Sequence, residues 1–318
     1  MLNLCLYSTV YNNVQYVQRS ISSVWRPDVE IVIVDSFSTD GTYEKLLSLK
    51  KDFNLRLYRY KCSRGLGRQI ALTKCLENSI TAYFDMDTVY YKVFHQLIDW
   101  ATQHQGLRVL VPYVPTYIAK RETILKRGGW RDLNYLEDNE MNARIGFDLA
   151  APIIIGENAY TPGSGILGPG RELRYGKISR LTRIQIDRLR AQAPSWYRMI
   201  IVRDYIGMFL YPLIRLIGPY KNRVPDNSTW IELAILARSV PLKEMNINER
   251  YFIFVVSLPL LKLVKGGEKT IENKITKLVS RPLIKITLQS KSKKLCYIKD
   301  KTLIDKNIIS IIKNVEVV

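Results

Sequence analysis

An α/β domain with a mainly parallel sheet is the fold class this chain predicts, and two observations predict it. Short apolar, β-branched runs alternate with segments of helical periodicity through the first 150 residues. Each such run ends where small or acidic residues begin. The charge is also divided: residues 1–150 hold 19 Lys+Arg against 16 Asp+Glu, whereas the remaining 168 hold 29 against 13.

The elements follow in order. MLNLCLYSTV reads as a first strand, and residues 13–25 then space Val14, Val17, Ile21 and Val24 at helical intervals. VEIVIVD is a second strand, and TDGTYEKLLSLKKD gives a turn and a helix. LRLYRY is a third strand, GRQIALTKCLENS another helix and ITAYFDMD a fourth strand. This β-α-β-α rhythm implies parallel strands joined by crossover helices. Ligands on such sheets bind outside the carboxyl ends of the strands. Asp35, Asp85 and Asp87 all fall on that edge, which points to a nucleotide-and-metal site.

Composition narrows the alternatives. At 318 residues, 47% hydrophobic and 24% charged, the chain can bury a substantial core. Cys5, Cys62, Cys75 and Cys296 form no CxxC pair, and His95 and His104 complete the histidines, so neither a zinc site nor a disulfide scaffold is expected. That usage fits a reducing compartment. MLNLCLYSTVYNN lacks the basic region and long apolar run of a signal peptide, so a cytosolic start is expected. The formal charge of +19 belongs mainly to the second half and would attract nucleic acid or an anionic membrane face. No aromatic-interleaved basic motif of a nucleic-acid-binding type accompanies it, so nucleic acid is the less expected partner.

The stretch AYFDMDTVYY carries the sharpest chemistry. Residues two apart on an extended segment point the same way, so Asp85 and Asp87 can share one divalent ion through hard carboxylate oxygens. A plain pair of loop carboxylates is the structural alternative. DMDTV also fits the DxDx[TV] nucleophile loop of haloacid-dehalogenase-type phosphatases, but that loop belongs near the start of its domain with a later Lys and acidic pair.

Four ordered segments favour another family. IVIVDSFSTDGTYE (31–44) resembles the nucleotide-binding segment VVDDGSTDGT of family 2 glycosyltransferases, and SRGLGRQIAL (63–72) resembles their RGxxRNxAL helix start. YFDMD resembles their DxD, and RGGWRDLNYLEDNEMNARI (127–145) resembles their GG(F/W)…EDxE(L/M)…R block. Together they cover roughly residues 1–150 and leave the phosphatase reading with three unexplained segments. The resemblance implies a GT-A fold, Rossmann-like with helices flanking the sheet, and an inverting, metal-dependent transfer from a nucleoside diphosphate sugar.

Roles carry over residue by residue. Asp35 inherits the nucleotide contact, since Ser36 replaces the second Asp of the usual pair, while Asp40 reads as structural in a turn where Thr39 or Asp40 caps the next helix. Thr9 and Tyr11 stand where the family has its P-T-Y-N turn and become base contacts, against strand-end packing for Tyr11. Backbone N–H groups of a glycine-bearing helix start, with Arg64 and Arg68, would attract phosphate, against an ordinary capped helix with a solvated arginine. The resemblance makes Asp85 a donor contact as well as a metal ligand with Asp87, the ion being Mn²⁺ or Mg²⁺, and Asp138 the catalytic base supported by Glu137. An acid pair suited to a helix N-terminus is the alternative there. Gly129, beside Gly128, and Trp130 would approach the acceptor sugar, against core packing for Trp130. Family members often complete the metal shell with a later histidine; none follows His104, so water and phosphate oxygens are the expected substitutes.

Residues 1–160 are therefore expected to form the catalytic domain and 161–318 a mostly helical, basic region that binds the acceptor. WYRMIIVRDYIGMFLYPLIRLIG (196–218) and YFIFVVSLPLLKLV (251–264) are too broken or too short to span a bilayer. With basic flanks they could lie in the membrane interface, or be buried helices. The interfacial reading suits a lipid-linked or saccharide acceptor and a cytoplasmic enzyme peripheral to the inner face of the membrane. Two other functions stay open: a non-catalytic GT-A-like protein docking on nucleic acid or lipid, and a polyprenyl-phosphate glycosyl synthase whose ionised acceptor needs no base.

Overall fold

The structure is a computed structural model that describes residues 4–104, 106–159, 177–193, 228–288, 294–303 and 312–318, with positions 208, 209, 212, 224 and 225 between them. β1 (Leu4–Val10) is apolar on both faces and nearly wholly buried, as a central strand of a parallel sheet must be. α1 (Val17–Val24) turns Val17, Ile21 and Val24 inward. β2 (Val29–Asp35) then pairs parallel with β1, from Leu4 opposite Val29 to Val10 opposite Asp35. α2 (Thr42–Leu49) and β3 (Leu55–Arg59) complete the next crossover, and α3 (Arg64–Lys74) leads to β4 (Ile80–Tyr83) on the other side of β1.

β5 (Thr88–Tyr90), α4 (Lys92–Gln103), β6 (Val109–Val111), β7 (Thr116–Lys120), α5 (Arg121–Lys126), α6 (Glu137–Ile145), β8 (Leu149–Ala150) and β9 (Gly156–Asn158) come next. The seven-stranded sheet has the order β3-β2-β1-β4-β7-β6-β8, in which β7 alone runs against the rest. β5 and β9 form a separate antiparallel pair beside it. The α/β expectation therefore holds, and the carboxyl ends of β1, β2 and β4 share one edge.

Beyond this sheet come α7 (Lys177–Ala191), the short parallel pair β10 (Gln192–Ala193) and β11 (Val224–Pro225), and α8 (Ser228–Arg238). β12 (Ile253–Ser257), α9 (Leu258–Leu263), α10 (Gly267–Ile275), β13 (Ile284–Leu288), β14 (Lys294–Ile298) and β15 (Ile312–Val317) complete the chain. The last four strands make an antiparallel sheet of order β12-β14-β13-β15. A mostly helical C-terminal region does not anticipate that sheet.

Side chains on β12 and β14 alternate between two apolar clusters. Phe254, Val256, Leu295 and Tyr297 join the main core, while Ile253, Cys296 and Ile298 pack with Ile154 and Ile286. The stretch 251–264 is thus a strand buried on both faces followed by a short helix with Pro259 in its first turn, not an interfacial helix. The stretch 196–218 falls outside the described residues apart from 208, 209 and 212. Among the described residues no helix is long and apolar enough to cross a membrane.

One cysteine expectation is corrected. The β1–α3 crossover brings Cys5 and Cys75 to a Cα–Cα distance of 5.9 Å, and they are joined by a disulfide across 70 residues of sequence. Scattered positions without a CxxC spacing hide a proximity that only the crossover creates. Cys62 and Cys296 are free.

Candidate active site

A cleft of about 740 Å³ opens at the carboxyl edge of the sheet. Its walls come from the turn after β1, the start of α3, the loop after β4, the start of α6, and α7. Thr9, Tyr11, Arg64, Arg68, Asp85, Asp87, Glu137 and Asp138 all line it. Four segments far apart in sequence therefore converge on one cavity of a size ordinary for a small-molecule ligand.

The turn that carries Tyr11 is sewn to the S-T-D-G-T segment. Asn12 N–H donates to Ser38 Oγ at 2.9 Å, Thr39 N–H to Asn12 Oδ1 at 2.9 Å, and Asn13 N–H to Thr42 Oγ1 at 2.7 Å. Asp40 accepts from Val14 N–H with one carboxylate oxygen and from the Thr42 N–H and hydroxyl with the other. Burial pushes its pKa up, but these hydrogen bonds outweigh it and hold the carboxyl below its ordinary value. Asp40 is structural, as its turn sequence suggests, although it serves α2 from two residues ahead of Thr42, and Thr39 does not cap.

The loop after β4 is held just as closely. Ser8 Oγ donates to Phe84 O at 2.6 Å, Asn13 Nδ2 to Met86 O at 2.6 Å, and the Ser20 hydroxyl lies 2.7 and 2.6 Å from Met86 O and Thr88 O. Asp85 N–H donates to Tyr90 Oη at 2.9 Å, and Ala159 N–H donates to Asp87 O at 2.8 Å. With its backbone fixed from four directions, the loop can present both carboxylates to the cleft without rearranging.

Beneath the acids lies a buried charge cluster. Arg68 is 2% exposed and pairs through Nη2 with Asp85 Oδ1 at 2.5 Å and through Nη1 with Glu137 Oε1 at 3.0 Å. Its guanidinium also sits 4.5 Å from the Tyr83 ring centre and 4.8 Å from that of Trp130. Burial would lower its pKa, and the carboxylates of Asp85 and Glu137 drive it up instead, so it is a permanent cation. Arg64 reaches the same Glu137 oxygen from the cleft side at 3.3 Å. Asp138 is half-buried, and its pKa is raised by desolvation and then by the neighbouring Glu137 carboxylate, with Arg68 opposing both.

Several predicted residues lie elsewhere than their motif suggests. Asp35 is fully buried below the cleft, where it accepts from Ser38 N–H at 3.1 Å and faces Arg59 Nε at 3.2 Å; Ser36, the departure from the double Asp, lines the cavity instead. Trp130 is 4% exposed, edge-on to Tyr83 and donating from Nε1 to Tyr7 Oη at 3.0 Å, so its ring belongs to the core. Gly129 lies outside the cleft lining, and its carbonyl accepts from Arg144 Nη2 at 2.6 Å.

The start of α3 is also not the phosphate cradle its glycines suggest. The N–H groups of Arg64, Gly65, Leu66 and Gly67 donate to Asn134 Oδ1, Leu133 O, Ser63 Oγ and Ser63 O. A Cβ at Gly65 would lie 2.1 Å from Arg131 O, so the glycine serves close packing against the loop before α6.

Three features escape a reading of the sequence alone. Glu140, the last acid of EDNE, is fully buried and pairs with Arg144 at 2.6 Å and Arg131 at 3.1 Å, clamping the loop that leads into α6. The charge pattern E-x-x-x-R at 140 and 144 is its trace in the sequence. Phe37 takes φ +56 at the place where the resembled motif has glycine, a strained conformation for a bulky residue, with the Arg59 guanidinium 5.0 Å over its ring. Arg183 of α7 lines the cleft from beyond the recognised motifs, and nothing in its local sequence marks it.

The donor set suits a hard divalent cation. Asp85 and Asp87 offer carboxylate oxygens from one rigid loop. Among the described residues no group of three or more His, Cys, Asp and Glu is placed to hold a metal, so such an ion would need phosphate or water oxygens to complete its shell.

A cleft at the carboxyl edge of a mainly parallel sheet, ringed by these acids and arginines, defines an α/β protein of GT-A type. Residues 6–150, just under half of the chain, match the model of glycosyl transferase family 2. No curated protein matches the chain. Among solved structures it is similar to S. aureus TarS 1–349, at 17% identity and a TM-score of 0.40 over 45% of this chain and 55% of that one. TarS 1–349 is also known in complex with UDP-GlcNAc. The chain is similar too to the mannosyltransferase PcManGT from Pyrobaculum calidifontis in complex with GDP-Man and Mn²⁺, at 16% identity and a TM-score of 0.45 over 67% of this chain and 73% of that one. The matched region thus spans little more than half the length of TarS 1–349.

Proposed function

We propose that the protein transfers a sugar from a nucleoside diphosphate sugar to an acceptor hydroxyl with inversion at the anomeric carbon. The observation that carries this reading is the convergence of Thr9 and Tyr11, Arg64, Asp85 with Asp87, and Glu137 with Asp138, all within the stretch that matches family 2, on one cleft. Tyr11, 39% exposed at the cleft wall, offers an aromatic face to the base, and Thr9 and Ser36 border the same end. Arg64 supplies positive charge for the diphosphate. Asp85 and Asp87 would hold a divalent cation, which when bound neutralises the charge developing on the departing nucleoside diphosphate.

Asp138 removes the proton of the acceptor hydroxyl as that oxygen attacks the anomeric carbon from the face opposite the leaving group. Its raised pKa makes it a better proton acceptor than an ordinary carboxylate. Glu137, tied to both Arg64 and Arg68, fixes the first turn of α6 and keeps a second negative charge beside the base. The acceptor is a saccharide or lipid-linked saccharide, and the basic second half favours an acceptor at an anionic surface.

Donor hydrolysis across a panel of UDP-, GDP- and dTDP-sugars with Mn²⁺ or Mg²⁺ tests the reading. Metal-dependent turnover of one donor by the native chain, abolished in Asp85→Ala and in Asp87→Ala, is expected. Silence across the panel together with no metal-dependent nucleotide binding would overturn it.

A further inference from the structure

Helix α7 lies outside the matched residues 6–150, yet its Arg183 and Ile184 line the cleft. Asp187, one helical turn after Arg183 on the same face, is buried to 5% exposure. The Asp187 carboxylate accepts two backbone hydrogen bonds through Oδ2, from Asn134 N–H at 2.7 Å and Tyr135 N–H at 3.1 Å. Arg190 stands 3.8 Å from its other oxygen. Burial raises the Asp187 pKa, and the two N–H donors and Arg190 counter that rise.

Those N–H groups belong to the two residues before Leu136, and Leu136 is the left-handed residue, φ +59, from which α6 springs. A leucine holds that conformation only where its surroundings fix it. From one side the fixing comes from α3, where Asn134 Oδ1 accepts Arg64 N–H at 3.3 Å and Leu133 O accepts Gly65 N–H at 2.8 Å. From the other side it comes from Asp187. The next residues in the chain are Glu137 and Asp138, so the direction of the first turn of α6, and with it the aim of the Asp138 carboxylate into the cleft, depends on this brace.

We infer that Asp187 is a positioning residue for the proposed base: it sets the Asn134–Leu136 backbone and acts on the reaction through Asp138 without touching substrate. The inference rests on the glycosyl-transfer reading of the cleft for its kinetic consequence, but not for the brace itself. The double acceptance through Oδ2 can be taken over by an amide oxygen, whereas an apolar side chain leaves both N–H groups unsatisfied.

The test compares the full-length chain carrying Asp187→Ala or Asp187→Asn with the native chain, by steady-state kinetics on the active donor, calorimetric nucleotide binding and hydrogen exchange at Asn134 and Tyr135. In Asp187→Ala, kcat is expected to fall by about 10- to 100-fold, the scale of a misaimed catalytic group, while nucleotide affinity stays within about twofold. Exchange at both amides should quicken in Asp187→Ala, and Asp187→Asn should restore both kcat and protection. A kcat unchanged in Asp187→Ala, or a parallel loss of kcat and nucleotide binding, would overturn the inference. If Asp187→Ala fails to fold, the amide variant decides: a folded Asp187→Asn that binds nucleotide but has lost kcat would refute positioning by hydrogen-bond acceptance. A native chain without turnover would count against the glycosyl-transfer reading, and exchange at Asn134 and Tyr135 would still judge the brace.

Discussion

The N-terminal α/β sheet and the C-terminal antiparallel sheet bury different things. The main sheet region buries Asp35, Arg68, Glu137 and Glu140 at 2% exposure or less, whereas β12 and β14 bury Phe254, Val256, Tyr297 and Ile298 on alternating faces. Beyond residue 150 the buried charged side chain among the described residues is Asp187, and it faces the cleft loop. Buried ion pairs stabilise little compared with apolar packing of the same volume, because desolvation offsets their attraction. Concentrating them under one cleft therefore marks the region where the fold is organised around chemistry, and the apolar sheet marks the region organised around packing.

The largest effect expected from this division is at Asp138. Asp138→Asn should lower transfer by about 10²- to 10⁴-fold, the usual contribution of a general base, with the thermal midpoint little changed. The pH dependence has a definite sign. The ionised carboxylate is the active form and its pKa is raised by burial and Glu137, so kcat/KM should be full above that value and fall as pH drops through it. The acid limb should lie above the value of about 3.9 of an unperturbed aspartate, and Asp138→Asn should remove it. A limb at or below the unperturbed value would show that Asp138 is not the titrating base.

The opposite half of the comparison is broken by Phe254→Ala. Phe254 is 1% exposed and joins the main hydrophobic core from β12, so truncation should cost about 3–5 kcal/mol of stability by urea denaturation. Activity per folded molecule should be retained. A loss of activity without a loss of stability would mean that the C-terminal sheet takes part in the chemistry.

Legibility in the sequence divides in the same way. The strand and helix order through β4 and the acids at the sheet edge were legible because local periodicity and spacing encode them, and the E-D pair at the start of α6 was legible through the family resemblance. Asp35 and Trp130 were misplaced by motif analogy: a motif gives a residue's position along the chain, but Arg59 and Tyr7 decide which way its side chain faces. Gly65 of SRGLGR looked like part of a phosphate turn because its contacts with Arg131 and Leu133 come from 66 or more residues away. The Cys5–Cys75 bond and the β12–β15 sheet were hidden for the same reason, since long-range pairing leaves no periodic trace. YFIFVV is ambiguous alone between a buried strand and an apolar helix segment, and β14 resolves it by pairing with β12.

The smallest effect is expected where the matched domain meets the rest of the chain. Gly156 on β9 lies opposite Tyr90 on β5, and a Cβ there would stand 2.6 Å from Val89 O and 3.0 Å from the Thr88 methyl. Backbone oxygen cannot yield as a flexible side chain can, so Gly156→Ala must lift β9 from β5. That pair and the adjoining Ala159 N–H to Asp87 O bond hold the carboxyl-terminal side of the acid loop. The variant should lose about 1–3 kcal/mol, the cost of overpacking, and Asp87 should move with the loop. A weaker divalent-cation requirement or affinity in Gly156→Ala, at unchanged metal-free nucleotide binding, would place the support of Asp87 in a segment beyond residue 150. Equal loss of both would instead mean that β9 stabilises the whole cleft, and the boundary between a chemical half and a packing half would have to be drawn later than residue 158.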